Sequence, residues 1–173
     1  MLSKEELVDL LLHDTQAFND TIKGNYVDLS EVDFSNISVE GACFDNVDLT
    51  SSTFADSQLT DVKFSTCDLT SVDFTRAKLV ECVFNESTLN GTDFSYATVN
   101  YCGFPDSDLA GVIVREADLS NSDFTMSLNL NASRFDDTTI WPDSEYLPAD
   151  FDSSYSDDLS SLKDEDDYEP SDY

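Results

Sequence analysis

From Leu29 to Phe124 every fifth residue is Leu, Phe or Val, twenty positions in succession without a slip. Nine of the chain's twelve Phe lie on this grid. A period of five fits neither the 3.6-residue helix nor the two-residue strand. A sequence that repeats so strictly must be a stack of short equivalent units, and such units bury a core only against one another.

Two residues before each large residue runs a second grid of small or medium side chains, among them Val27, Val47, Ser52, Val62, Cys67, Ala77, Cys82, Ser87, Ala97, Cys102, Ser107 and Ser122. The remaining three positions of each five are mostly Asp, Ser, Thr, Asn, Glu and Gly. Each unit therefore turns two side chains in and three out. Val47-Asp48-Leu49-Thr50-Ser51, Ala117-Asp118-Leu119-Ser120-Asn121 and Ser122-Asp123-Phe124-Thr125-Met126 show the pattern plainly. In these units the chain resembles the pentapeptide-repeat family, whose unit is written A-(D/N)-L-x-x. The resemblance implies an all-β fold, a right-handed quadrilateral β-helix with one unit per side and four units per coil.

Sorting the grid by twenties supports the four-unit coil. It gives the columns Leu29–Leu49–Leu69–Leu89–Leu109, Val39–Leu59–Leu79–Val99–Leu119, Phe34–Phe54–Phe74–Phe94–Val114 and Phe44–Phe64–Phe84–Phe104–Phe124. Aliphatic columns face each other, and so do the Phe columns, which predicts stacked aromatic ladders. Each buried Leu or Phe contributes about 1.5–3 kcal/mol, enough for a core despite a slim cross-section. After Phe124 the next apolar residues are Leu130, Phe135 and Ile140, so one residue is expected to be inserted near Met126 to Asn129 as a bulge.

A stack needs caps over its open ends. Residues 1–24 are read as an N-terminal helical cap, with Ser3 and Glu6 as a capping box, Leu7, Leu10 and Leu11 as its apolar face, and Phe18 and Ile22 completing the cover. Residues 25–140 form the β-helix, and 141–151, with Trp141, a wrapped C-terminal cap segment. Residues 152–173 carry almost no aliphatics and are expected to be a disordered acidic tail, in which Tyr155, Tyr168 and Tyr173 could serve as contact points or the whole could simply solubilise.

No apolar run is long enough to span a membrane, and the acidic N-terminus lacks a secretory stretch, so a cytoplasmic protein is expected. Cys82 and Cys102 should stack in adjacent coils about 4.8 Å apart, within disulfide range, but small buried thiols fit the grid equally well and free thiols are expected. The only His, His13, lies on the N-terminal helix, and no phosphate loop, ligand cluster or nucleophile–base pair is visible. The expectation is a protein that is not an enzyme, with no metal and no cofactor.

Charge carries the functional reading. Net charge is −29, of which residues 25–135 hold eighteen acids against five bases. Five to six coils make a rod of roughly 25 Å. Its thirteen net charges give one per roughly 2 Å, against one per about 1.7 Å for duplex DNA. Some pentapeptide-repeat proteins bind DNA gyrase and related topoisomerases as DNA mimics. The resemblance thus implies a protein-binding module, in its sharpest form a DNA mimic for a DNA-handling enzyme. The alternative is a structural or adaptor scaffold without mimicry. The partner is expected to be a protein with a basic surface, with no direct nucleic-acid binding and no membrane. The chain is expected to be a monomer or an end-to-end dimer. The candidate contact residues are Asp28, Asp48, Asp68 and Asp108 along one face, Asp33, Asp73 and Asp93, and the pair Tyr96 and Tyr101, with Arg76, Lys78 and Val80 one coil earlier. Nine of the eighteen acids precede the central residue of a unit and could instead belong to the repeat itself.

Overall fold

The computed structural model describes residues 2–154. The expected tail, with Tyr155, Tyr168 and Tyr173, lies almost wholly outside the described residues. The chain opens with helix α1, Lys4–His13, and the capping box forms as the sequence predicts: Glu6 N–H donates to Ser3 Oγ (3.2 Å) and Ser3 N–H to Glu6 Oε2 (2.7 Å). Phe18 and Ile22 form the buried face of a second helix, α2, Thr15–Ile22, whose N-terminus Asp14 caps by accepting from Ala17 N–H. The two helices lie over the first coil of a β-solenoid of about five turns.

The solenoid is built from short parallel strands paired twenty residues apart. Val39 pairs with Leu59, Leu59 with Leu79 and Leu79 with Val99, while Phe44 pairs with Phe64 and Phe64 with Phe84. All twenty grid residues are buried, none more than 6% exposed. Phe34, Phe54, Phe74 and Phe94 stack at 4.6–5.1 Å between ring centroids, and Phe44, Phe64, Phe84, Phe104 and Phe124 do the same. The two ladders meet edge to face at 6.1–6.2 Å through the middle of the stack. The rings from Phe34 to Phe94 on the two ladders thus have stacked and T-shaped neighbours together, the two favoured aromatic geometries.

The small grid does more than leave room. Ser52, Ser107 and Ser122 each donate a hydroxyl to a carbonyl in the coil below, Leu29, Phe84 and Val99 respectively, at 2.6–2.9 Å. The same hydroxyls accept the backbone N–H of Val32, Ser87 and Cys102. Thr92 and the thiols of Cys67 and Cys82 donate downward in the same manner. Ser57 breaks this rule: its buried hydroxyl has no hydrogen-bond partner among the described residues, and the three coils that follow carry Ala77, Ala97 and Ala117 at the same place. An unpaired buried hydroxyl costs about 1–3 kcal/mol, whereas deleting a bonded one loses its bonds. Ser57→Ala is therefore expected to raise stability by about 1 kcal/mol and Ser107→Ala to lower it by about 1–2 kcal/mol, read by urea denaturation of the two variants side by side.

The corners obey the period as well. Every fifth residue from Glu31 to Glu116 has positive φ, fifteen of them non-glycine and the others Gly41, Gly91 and Gly111. A left-handed L-residue costs about 1–2 kcal/mol. The corner geometry is held because its amide is paired across the stack, as in Glu31 N–H to Thr50 O and Asp56 N–H to Thr75 O.

At the C-terminal end the register changes in two steps. Asp108 still bridges Leu128, twenty residues on, but Ile113 bridges Arg134 and Asp118 bridges Ile140. The first extra residue sits in the 3₁₀ turn Leu130–Ala132, after a left-handed Asn129, slightly later than the sequence suggests. A second enters before Ile140. Leu130 and Phe135 are buried as expected, whereas Ile140 is 54% exposed and Trp141 takes the inward place. Trp141 contacts Phe124, Phe135 and Phe151, closing this end with an aromatic cluster.

Candidate acidic face

The nine Asp that precede a central residue all have one structural task. Asp28, Asp33, Asp48, Asp68, Asp73, Asp93, Asp108, Asp118 and Asp123 each accept, on Oδ1, the backbone N–H of the residue two positions on, at 2.8–3.1 Å. This is the Asx-turn, in which a short carboxylate satisfies a turn amide that the ladder leaves over. Where Thr53 replaces Asp, its hydroxyl accepts from Ala55 N–H instead. The turn explains why Asp, and not the longer Glu, fills this position.

The turn also fixes each carboxylate in space. Asp28, Asp48 and Asp68 lie in register on three consecutive coils, Thr88 interrupts the row, and Asp108 resumes it. Adjacent members are one strand spacing apart, about 4.8 Å. On the next face Asp33, Thr53, Asp73 and Asp93 form a second row. The first face brings together five acids, the four Asp and Glu31, with no base of its own, since its remaining outward residues are Ser, Thr, Asn, Ala and Gly.

Among the described residues two ion pairs engage acids of these faces. Lys4 from α1 pairs with Asp28 (2.8 Å) and donates to Ser30 O (2.7 Å), tying the helical cap to the first coil. Its hydrogen bond, with those from Ser30, pulls the Asp28 carboxyl down to about 2. On the second face Arg76 makes a two-point contact with Asp56 one coil below, Nε and Nη2 each at 2.8 Å, which holds the Asp56 carboxyl below its usual range. The mixed Tyr–Arg–Val patch that the sequence suggests therefore has its guanidinium already engaged.

The Lys4–Asp28 clamp has a defined acid limit. A carboxyl lowered from 3.8 to about 2 stabilises the fold fully above pH 3.8, and that contribution is lost as pH falls through 2. The melting temperature of wild type is thus expected to exceed that of Lys4→Met between pH 5 and 7, with the gap closing by about pH 2. Equal melting temperatures throughout would mean the clamp contributes nothing.

Tyr96 and Tyr101 are exposed at two successive corners of one coil, bracketing Ala97–Asn100. They frame one face from its two edges. Tyr26 completes the inventory of exposed aromatics near the acids: it stands five residues before Glu31 on the corner grid, and its hydroxyl donates to Asp48 Oδ2 (3.3 Å). That grid position is the signal that places Tyr26 beside the acidic row. The N-terminal edge has its own device, also unmarked in the sequence: Asn19 of α2 accepts Cys43 N–H (2.8 Å) and donates to Gly41 O (2.9 Å), so a side-chain amide stands in for a missing coil.

A groove of about 540 Å³ at the C-terminal end is lined by Leu128, Leu130, Pro148 and Phe151. Its one carboxylate, Asp150, accepts from Asn131. Among the described residues no group of three or more His, Cys, Asp or Glu is arranged to hold a metal ion, and no helix is long and apolar enough to cross a membrane.

The sequence pattern described as the pentapeptide repeat region matches residues 25–94 and 57–135 of this chain. Among solved structures the chain is similar to the pentapeptide-repeat protein Rfr23 from the cyanobacterium Cyanothece 51142, at 14% identity over 80% of this chain and 99% of that one, with a TM-score of 0.39. It is also similar to a trypsin-treated variant of QnrB1, a plasmid-mediated fluoroquinolone resistance protein, at 9% identity over 65% and 69%, TM-score 0.43. A third is a pentapeptide-repeat protein of the Arabidopsis thaliana thylakoid lumen, at 23% identity over 70% and 72%, TM-score 0.21. No curated protein sequence matches the chain.

Proposed function

The chain belongs to the pentapeptide-repeat family, and on that premise we propose that it is a non-enzymatic protein-binding rod whose acidic faces engage a basic partner surface, most sharply that of a DNA-handling enzyme such as a type II topoisomerase. The observation that carries this reading is the face on which Asp28, Asp48, Asp68 and Asp108 recur in register, whose repeat units supply no base and whose one cation, Lys4, comes from the cap. Each of these carboxylates is fixed by its own Asx-turn. The turn engages Oδ1 of each carboxylate and leaves the charge in place. Structural cap and electrostatic contact are thus compatible duties of one side chain. A charge array that does not reorganise on binding avoids part of the ordering cost of association. It also attracts a DNA-binding groove from a distance, in a salt-dependent way.

Supercoiling of relaxed plasmid by DNA gyrase at low salt tests the topoisomerase version. Inhibition at micromolar protein, relieved by added salt, is the expected result. Full supercoiling at that concentration would overturn it. The Tyr96–Tyr101 face, with less acid around it, supports a scaffold reading in which recognition is apolar and survives high salt.

A further inference from the structure

We propose that Cys82 and Cys102 are a redox pair built into the core, which a peroxide converts to a disulfide that staples two adjacent coils. The two residues occupy the same place in consecutive coils: Val83 pairs with Gly103 in the parallel ladder, and Gly103 N–H donates to Cys82 O at 3.1 Å. In-register parallel neighbours sit about 4.8 Å apart, inside the Cα range found across disulfides. Both thiols are free and buried.

The hydrogen bonding singles out this pair. At the inward small positions Cys67, Cys82 and Ser122 all donate to a carbonyl of the coil below. Cys102 does not. Its thiol donates to Asn100 O within its own coil (3.4 Å), in register with Cys82 one coil below. The neighbouring Cys82 thiol and burial together push the Cys102 thiol up. Cys67 has no such partner, and burial raises it to about 12. In this proposal Cys82 is the attacking sulfur and Cys102 the resolving one. The Cys82 thiolate attacks one oxygen of hydrogen peroxide and, with a proton, releases water, leaving a sulfenic acid. The Cys102 sulfur then displaces the sulfenic hydroxyl as a second water. Two thiols are oxidised by two electrons, and the peroxide is reduced to two molecules of water.

Trypsin provides a direct readout, because the single peptide Leu79–Arg115 contains Cys82 and Cys102 and neither of the other cysteines. The native full chain is exposed to hydrogen peroxide, quenched, denatured under thiol-blocking conditions and digested. The expected product is this peptide lighter by two hydrogens, and a melting temperature raised by several degrees that returns on reduction. In Cys102→Ser the resolving sulfur is lost, so dimedone is expected to label Cys82; in Cys82→Ser no label is expected on Cys102. Serine already occupies the same column at Ser122, so both variants keep the packing. Cys67→Ser is expected to leave the cross-link intact. A peptide that stays fully reduced, or that gains oxygen without losing hydrogen in the wild-type chain, would overturn the proposal. So would a cross-link that forms equally in Cys102→Ser.

Discussion

Replacing Phe74 by alanine is expected to lower the stability of the fold by about 3–5 kcal/mol, the range for emptying a large buried aromatic site. Phe74 sits in the middle of its ladder, stacked on Phe54 at 5.1 Å and Phe94 at 4.9 Å, and meets Phe64 and Phe84 edge to face at 6.1 Å each. Its ring is fully buried. Repair by collapse is restricted, because the hydrogen-bonded coils above and below fix the strand spacing. In a stacked fold each coil rests only on its neighbours, so the cavity also weakens the link between the two halves of the rod. Urea denaturation followed by circular dichroism should show an earlier transition, and a broader one if the halves melt separately. Phe74→Leu keeps most of the volume, matches the leucine columns and is expected to cost under about 2 kcal/mol. A loss below about 1 kcal/mol for the alanine variant would show that the ladder is not the main support of the stack.

The second large effect is expected on binding and not on folding. Asparagine retains the side-chain oxygen that accepts the turn amide, so Asp→Asn keeps the Asx-turn and removes the charge. A variant with Asn at Asp33, Asp48, Asp68, Asp73, Asp93 and Asp108 leaves the Lys4–Asp28 clamp untouched. It is expected to melt at or above the wild-type temperature, because carboxylates stacked in register no longer repel one another. Its affinity for a basic partner is expected to fall about a hundredfold at low salt, taking about 0.5 kcal/mol for each exposed contact. The same six positions changed to Ala lose cap and charge together and are expected to lower the melting temperature as well. Unchanged affinity in the Asn variant would assign these six Asp to the turns alone.

The grid made the core legible because burial has the same period as the sequence. Leu29 to Phe124 could be assigned to four columns, and the stacking of the Phe columns followed from that arithmetic. The ends were less legible. Ile140 looks like the next inward residue on a count of fives, yet the two added residues turn it outward and bring Trp141 in, and nothing in the spacing reveals the second addition. Asn19 at the N-terminal edge carries no signal, because its task depends on where α2 docks. The left-handed corners were hidden for a different reason. Glycine, the usual mark of positive φ, fills few of them, and residues such as Glu81, Arg76 and Tyr101 adopt the conformation because the stack pairs their amides. The acidic rows were legible in position, and the doubt over nine of them has a physical answer: each Asp caps a turn and each still presents its charge.

Recognition of a DNA-binding surface by the fixed carboxylate rows is read out by capture from native lysate. Wild type and the six-Asn variant are immobilised in parallel, and bound protein is eluted with duplex DNA at low salt. Wild type is expected to retain DNA-handling enzymes, duplex DNA to release them, and the Asn variant to retain none. Partners held equally by both forms, unaffected by duplex DNA and stable in high salt would contradict such recognition.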